Sequence, residues 1–162
     1  TLQTFTLASQ PSYVGRLPGS SYEGLEIFLE INAAVAASAV TVAVGYTNQD
    51  GTAGRTTAAS SALTSFITRR LIQMPLQAGD KGVQKIDTVV IGGTVAATGP
   101  VNVIVARRLW SNRVRVANDG GLDAGNLTNM RIVYDTTAFW PVIQPDSTAS
   151  GLPELLMNII NG

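Results

Sequence analysis

The chain has 162 residues and no net charge, and only 14% of its residues are charged, well below the roughly one quarter that is usual in a globular domain. The neutral balance argues against nucleic acid as a partner, because binding to the phosphate backbone needs an excess of positive charge. The sequence has no Cys and no His, which excludes disulfides and removes the commonest general base, and it has no run of about 18 apolar residues that would predict a membrane span.

The beginning of the chain predicts an extended arm followed by a strand. Residues 1–21 contain two Pro and two Gly, which is typical of an arm or a loop. Leu2, Phe5 and Leu7 leave an edge strand open as the alternative. In residues 22–31 apolar side chains alternate with polar or aromatic ones, and this period of two predicts a strand that is buried on one face.

A hairpin is predicted from residue 40 onward. Side chains alternate again in residues 40–47, and residues 48–51, Asn-Gln-Asp-Gly, supply a turn in which Gly can adopt a positive φ. The Thr-rich residues 52–58 are predicted to return as the second strand. Residues 59–70 fit a helix or a strand, and we interpret them as an irregular connection.

The middle of the chain has the clearest strand pattern. Three runs rich in Val and Ile, at residues 71–76, 83–91 and 101–109, are separated by two segments that contain Gly. Consecutive strands of an all-β domain have this pattern. The first separating segment, residues 77–82, is predicted to be a tight turn in which Asp80 caps local backbone amides.

The end of the chain predicts two more strands and a helix. The strands are expected at residues 130–134 and 138–143, and the spacing of apolar side chains in residues 152–161 predicts a short amphipathic helix. The loop of residues 118–126 holds two Asp and two Asn, which would suit a calcium ion. A turn-forming loop explains the same residues better, since their spacing matches no EF-hand.

Taken together, these elements predict an all-β fold. Roughly eight to ten short strands without a long helix favour a β-sandwich of jelly-roll type, because two sheets can share one core and leave few open edges. An immunoglobulin-like sandwich is the alternative. The predicted division is an extended N-terminal arm at residues 1–21, a sandwich domain at residues 22–151 and a tail with the short C-terminal helix at residues 152–162.

No catalytic constellation can be assembled from the residues. Glu26 and Glu30 share a strand face about 13 Å apart, which is too far for a coupled acid and base, so we interpret them as solvated. Ser and Thr are numerous, but the chain has no His to activate one of them as a nucleophile. We therefore predict no enzymatic activity, no cofactor and no metal.

The Arg residues are the candidate binding residues. Arg suits an interface because its planar guanidinium binds a carboxylate through two hydrogen bonds, and a chain so poor in charge is expected to face other protein over much of its surface. Ordinary surface positions are the alternative for any one pair. The predicted interface residues are Arg69, Arg70, Arg107, Arg108, Arg113 and Arg115.

The large aromatic residues in the second half of the chain have two interpretations. Trp110, Phe139 and Trp140 are predicted to anchor the core, where such side chains bury much apolar surface. Contact with another protein is the alternative, since Trp is enriched among the residues that dominate binding energy.

Four stretches of the sequence together resemble a known family. They are residues 22–30 (YEGLEIFLE), 42–57 (VAVGYTNQDGTAGRTT), 76–83 (LQAGDKGV) and 106–109 (ARRL). In combination they resemble the small β-rich structural proteins of tailed-bacteriophage virions, found on or near the head. The resemblance implies a non-enzymatic virion component. With 162 residues the chain is short for a major capsid protein, so a capsid decoration or cement protein is implied.

The resemblance also implies partners and a location. The protein would bind and stabilise the head shell from the outer surface of the capsid, with the major capsid protein and further copies of itself, as a dimer or trimer, as partners. Another head- or tail-associated protein of the virion is the alternative. From different classes, a carbohydrate-binding β-sandwich module would need an exposed aromatic platform, and a hydrolase is the hypothesis that the residues support least.

Overall fold

The computed structural model describes residues 2–8, 10, 21–32, 40–60, 63, 71–93, 100–109 and 138–142. These residues form β-strands and no helix, so the prediction of an all-β chain is confirmed for them. The strands are β1 (Gln3–Thr6), β2 (Leu25–Ile31), β3 (Val40–Asn48), β4 (Arg55–Thr56), β5 (Leu71–Met74), β6 (Val83–Gly93) and β7 (Val101–Arg107). The predicted strand at 130–134, the loop at 118–126 and the C-terminal helix lie outside the described residues.

The strands are arranged in two antiparallel sheets. The first sheet has the order β1-β6-β3-β4, and the second has the order β5-β2-β7. Apolar side chains of both sheets pack into one core, as in a β-sandwich. The chain crosses from the second sheet to the first in residues 75–82, between β5 and β6.

Strand β2 forms one side of the core from the centre of its sheet. Leu25, Ile27, Leu29 and Ile31 are at most 5% exposed, whereas the residues between them are half-buried. This is the predicted alternation, because a strand places successive side chains on opposite faces. β2 pairs with β5 along one edge and with β7 along the other, so it is the central strand of the second sheet.

Strand β3 forms the other side of the core and then changes character. Val42, Val44 and Tyr46 are fully buried in the core cluster. The register between β3 and β6 shifts twice near the end of β3, as it does at β-bulges. Beyond the first shift the alternation stops, and Thr47 and Asn48 are buried as well. The end of β3 therefore directs polar side chains into the protein.

The segment after β4 runs along β3 and uses side-chain hydroxyls as hydrogen-bond acceptors. The backbone N–H of Thr57 donates to Val44 O at 2.9 Å, and that of Ser60 donates to Val42 O at 2.8 Å. In return, the N–H of Val44 donates to Thr57 Oγ1 at 3.0 Å and the N–H of Val42 donates to Ser60 Oγ at 2.9 Å. The two hydroxyls thus complete the pairing along this edge of β3.

The N-terminal arm is bound to the first sheet. The alternative of an edge strand is what the structure shows for Gln3–Thr6, which pairs with β6 as β1. The backbone N–H of Leu7 continues this pairing by donating to Asp87 O at 2.9 Å. The side-chain amide of Gln10 then donates to the carbonyl oxygen of Ile86 and accepts from its backbone N–H. It pairs with β6 as the peptide group of one further strand residue would.

The predictions for residues 138–142 are wrong. These residues form no strand, and the side chains predicted to anchor the core are open to solvent, with Phe139 37% and Trp140 51% exposed. Pro141 has no backbone N–H to donate to a ladder, which gives a physical reason for the missing strand. Trp110 lies outside the described residues.

Candidate functional site

Among the described residues, the most buried ionisable cluster lies where the end of β3 meets the connection between β5 and β6. Asp80, in that connection, has a side chain only 3% exposed. Its carboxylate accepts a hydrogen bond from Tyr46 Oη at 2.7 Å and another from Asn48 Nδ2 at 2.8 Å. Arg55 Nε, from β4, lies 3.7 Å from Asp80 Oδ2. We refer to Tyr46, Asn48, Arg55 and Asp80 as the Asp80 cluster.

The cluster keeps Asp80 charged and Tyr46 neutral. The hydrogen bond from Asn48, followed by the one from Tyr46, holds the pKa of Asp80 below its ordinary value. Burial, followed by the hydrogen bond to Asp80, raises the pKa of Tyr46 to about 12. The Tyr46 hydroxyl also accepts the backbone N–H of Gln77 at 2.7 Å. A carboxylate that already accepts such hydrogen bonds is a poor general base. The hydrogen bonds instead hold the end of β3 and the connection between β5 and β6 together.

The turn after β3 caps the connection that holds Asp80. Gln49 Oε1 accepts the backbone N–H groups of Lys81 and Gly82 at 3.0 and 3.1 Å, and the N–H of Gln49 donates to Gly82 O at 3.1 Å. The prediction that Asp80 caps local amides is therefore wrong. Gln49 performs this role from a different turn, because the Asp80 carboxylate faces the side chains at the end of β3.

The glycine at the end of this connection is required by a close approach of two backbones. A Cβ atom at Gly82 would lie 2.0 Å from the carbonyl oxygen of Tyr22. The backbone of Gly82 forms a bridge with Glu23, and the N–H of Gly24 donates to Lys81 O at 2.8 Å. The connection is therefore bound to the entry of β2 on one side and to the turn after β3 on the other.

A shallow depression of about 340 Å³ lies beside this connection. Its lining includes residues 77–81 together with Glu26, Gln73 and Met74. Glu26, Asp80 and Lys81 are the charged residues of this lining, which contains no Ser or Thr. The depression gives no support to a catalytic site.

Of the predicted interface residues, the structure describes Arg107 and Arg108 and does not bring them together. Their side chains leave opposite faces of the sheet, since they are neighbours in sequence at the end of β7. Arg107 is half-buried, and its stem lies beside Gly24. Arg69, Arg70, Arg113 and Arg115 lie outside the described residues. Their role at an interface stays a prediction.

Arg108 has partners within its own chain. Its Nη2 donates to Glu26 Oε2 and to Gln73 Oε1, both at 3.2 Å, so it links the three strands of the second sheet on their outer face. On the same face Asn102 Nδ2 donates to Glu30 Oε2 at 3.0 Å. The two glutamates predicted to be solvated are thus half-buried and paired across strands.

The exposed apolar surface is the remaining candidate for a binding site. The large apolar side chains that are exposed among the described residues fall into two short segments: Leu2 (68%), Phe5 (50%) and Leu7 (43%) in the first, and Phe139, Trp140 and Val142 in the second. For Leu2, Phe5 and Leu7 the sequence predicts an arm, with an edge strand as the alternative. Phe5 and Leu7 are two residues apart, the spacing that places side chains on one face of a strand, whereas Leu2 is three residues from Phe5 and does not share that face.

Two further features are absent from the described residues. No group of three acidic, His or Cys side chains in them is close enough to hold a metal ion. No helix that is long and apolar enough to cross a membrane occurs in these ranges.

Comparison of the chain with protein-family models, with curated proteins and with solved structures gives no match. The resemblance to phage structural proteins is thus still a prediction from the residues.

Proposed function

We propose that this chain is a non-enzymatic structural protein that acts by assembly, and that it is a capsid decoration or cement protein on the outer surface of a phage head shell. The observation that carries the proposal is the exposed apolar surface of residues 2–7 and 139–142, on a chain in which only 14% of residues are charged. Within the proposal the sandwich is of jelly-roll type and the chain ends in a short helix.

The apolar surface supports assembly because burying it on another protein is favourable. Leu2, Phe5 and Trp140 each leave half or more of their surface in water. Each square ångström of apolar surface that a partner covers contributes about 25 cal/mol, and aromatic residues dominate the energy of many interfaces. The proposed partners are the major capsid protein and further copies of the chain.

The ionisable groups support the same proposal in another way. The most buried carboxylate among the described residues, Asp80, accepts hydrogen bonds from Tyr46 and Asn48. Glu26 is paired with Arg108. These groups hold strands and turns together, which is the use expected in a rigid module that serves as a building block.

Shell binding is the direct test of this proposal. Head shells that lack this protein are mixed with the purified chain and sedimented, and free major capsid protein is treated in the same way. We expect saturable binding to shells and none to free capsid subunits. Binding to neither contradicts the proposal. The saturating ratio separates a decoration protein, which covers the shell lattice, from a tail or connector protein, which occupies one vertex.

A carbohydrate-binding module is the second candidate, and the exposed aromatic pair favours it. Trp140 is 51% and Phe139 37% exposed, and exposed aromatic rings can stack on the apolar faces of sugars. A glycan array probed with the wild-type chain and with Trp140→Ala tests it. Binding to a defined glycan that Trp140→Ala abolishes supports this candidate, and an array without hits removes it.

A further inference from the structure

Within the part of the chain that the structure describes, strand β1 is an open edge of the first sheet. It pairs with β6 on one side only, and within the described residues no strand pairs with its other side. All four residues of β1 are exposed. An edge strand offers a row of backbone N–H and C=O groups to any second strand that can approach it.

The direction of these backbone groups follows from one hydrogen bond. The N–H of Leu7 donates inward, to Asp87 O of β6. In an antiparallel ladder the backbone groups of successive residues point alternately to the two sides. Gln3 and Phe5 therefore also bond inward to β6, and Thr4 and Thr6 direct their N–H and C=O groups to the open edge.

The other edges carry the features that protect a strand from pairing. β4, the opposite edge of the same sheet, has only two residues, one of them Arg55, and the segment after it is hydrogen-bonded to β3. In the second sheet β5 is followed by Pro75 and β7 is preceded by Pro100. Charges and Pro both hinder edge-to-edge pairing, and neither of them occurs in residues 2–8.

The chemistry of residues 2–8 fits a second copy of the same strand. The sequence Leu-Gln-Thr-Phe-Thr-Leu-Ala has no charge, so two copies can lie side by side without repulsion. It is also nearly symmetric about Phe5, with Thr on both sides of it. Antiparallel pairing about Phe5 would place Thr4 opposite Thr6 of the second copy and Phe5 opposite Phe5.

We propose that two copies of the chain pair antiparallel through β1, about a two-fold axis at Phe5, and form one continuous sheet. Thr4 and Thr6 then exchange about four backbone hydrogen bonds with the second copy. The two Phe5 rings, each half exposed in the single chain, come into contact on one face of the sheet. Such an interface is isologous, so it closes at the dimer.

This inference rests on the self-association in the proposed function and specifies its surface. The two can still fail separately. A monomeric chain that binds shells overturns the pairing of β1 and leaves the decoration protein intact. A dimer that binds no shell does the reverse.

The first experiment uses single cysteines, which are clean probes because the natural chain has none. Across the two-fold axis Phe5→Cys would face its own copy at a Cα separation of about 4.5 Å, within reach of a disulfide. Gln3→Cys is the control, since it leaves the same face but would lie about 14 Å from its copy. We expect a disulfide-linked dimer with Phe5→Cys and not with Gln3→Cys after mild oxidation. Equal cross-linking of both variants overturns the register.

The second experiment removes one outward N–H. Thr4→Pro deletes a donor that faces the open edge and leaves the inward bonds to β6 in place, and edge strands tolerate Pro at such positions. Thr4→Val keeps the donor and is the matched control. Sedimentation equilibrium should give a dimer for wild type and Thr4→Val, and a dissociation constant raised at least about tenfold for Thr4→Pro. Circular dichroism confirms that each variant folds. A monomeric wild type, a trimer, or a folded Thr4→Pro dimer of unchanged affinity overturns the proposal.

Discussion

The hydroxyl of Tyr46 lies 2.7 Å from Oδ2 of Asp80 and donates a hydrogen bond to it. Tyr46 belongs to β3 in the first sheet, and Asp80 lies where the chain crosses from the second sheet to the first. The same hydroxyl accepts the N–H of Gln77. One side chain in the core therefore fixes both ends of a four-residue turn, and this relationship makes Tyr46 the first target for mutation.

Tyr46→Phe should destabilise the fold. The substitution keeps the ring in the core but removes a donor to a buried carboxylate and an acceptor for the Gln77 N–H. Leaving buried polar groups without partners costs about 1–3 kcal/mol, to be measured by urea unfolding. Tyr22→Phe is the control, since Tyr22 packs against the same core and no hydrogen bond of its hydroxyl occurs among the described residues. An equal loss of unfolding free energy in Tyr46→Phe and Tyr22→Phe would contradict the role assigned to the Tyr46 hydroxyl.

The same pair predicts how stability changes at high pH. Tyr46 has a pKa of about 12 in the folded protein and about 10 when unfolded. Because its pKa is raised, Tyr46 holds its proton more tightly in the folded chain than in the unfolded chain. The stabilisation that this provides is therefore complete below pH 10 and is lost as pH rises toward 12. Unfolding free energies at pH 8 to 11.5 should fall more steeply for wild type than for Tyr46→Phe. If the unfolding free energies of the two proteins changed in parallel with pH, the raised pKa of Tyr46 would be contradicted.

The lowered pKa of Asp80 predicts that stability is also lost at low pH. Its pKa is lower in the folded chain than its ordinary value, chiefly through hydrogen bonds from Asn48 and Tyr46. The contribution of the charged form is present above the unfolded pKa, about 3.9, and is lost as pH falls through the folded value. Asp80→Asn should therefore be less stable than wild type at pH 7, and the difference should shrink below about pH 4. Asp50→Asn, at an exposed turn position, is the control.

Most strand positions could be predicted, because the pattern that determines them is local. The alternation of residues 22–31 depends on side chains two residues apart, and β2 forms there with its apolar face buried. The turn at 48–51 depends on a single Gly, and Gly51 adopts a φ of 82°. Neither prediction required knowledge of the partner strand.

The Asp80 cluster could not be predicted, because its members come together through the crossing of the chain. Tyr46 and Asp80 are 34 residues apart, and Asn48 and Asp80 are 32 apart. No periodicity connects them. The buried position of Asn48 also depends on the register shifts near the end of β3, which the sequence does not signal. The role of Ser60, in the segment predicted to be an irregular connection, could not be predicted for the same reason. Its hydroxyl accepts a hydrogen bond only because β3 runs beside it.

The hydroxyls of Thr57 and Ser60 should each be important for stability. Thr57→Val is nearly isosteric but leaves the N–H of Val44 without its acceptor, and Ser60→Ala does the same to Val42. Each loss is expected to cost about 1–3 kcal/mol. Thr56→Val is the matched control, because Thr56 is exposed and its neighbour Thr57 is buried. Thermal unfolding of the three variants distinguishes a role of the hydroxyl from a general effect of Val or Ala on this segment.

Arg108→Ala separates a structural role from a role at an interface. The pair between Arg108 and Glu26 is 3.2 Å long, but the Arg side chain is 50% exposed, and exposed ion pairs contribute about 0–1 kcal/mol. The fold should therefore tolerate the substitution with little change in unfolding free energy. If Arg108 contacts a neighbouring subunit, as the sequence predicts, binding to head shells should weaken by about tenfold or more, since losing one partner of a buried charge pair is costly. Lys85→Ala is the control, because Lys85 forms a similarly exposed pair with Asp87 on the other sheet. Unchanged shell binding by Arg108→Ala would restrict this residue to the pairing of strands within its own chain.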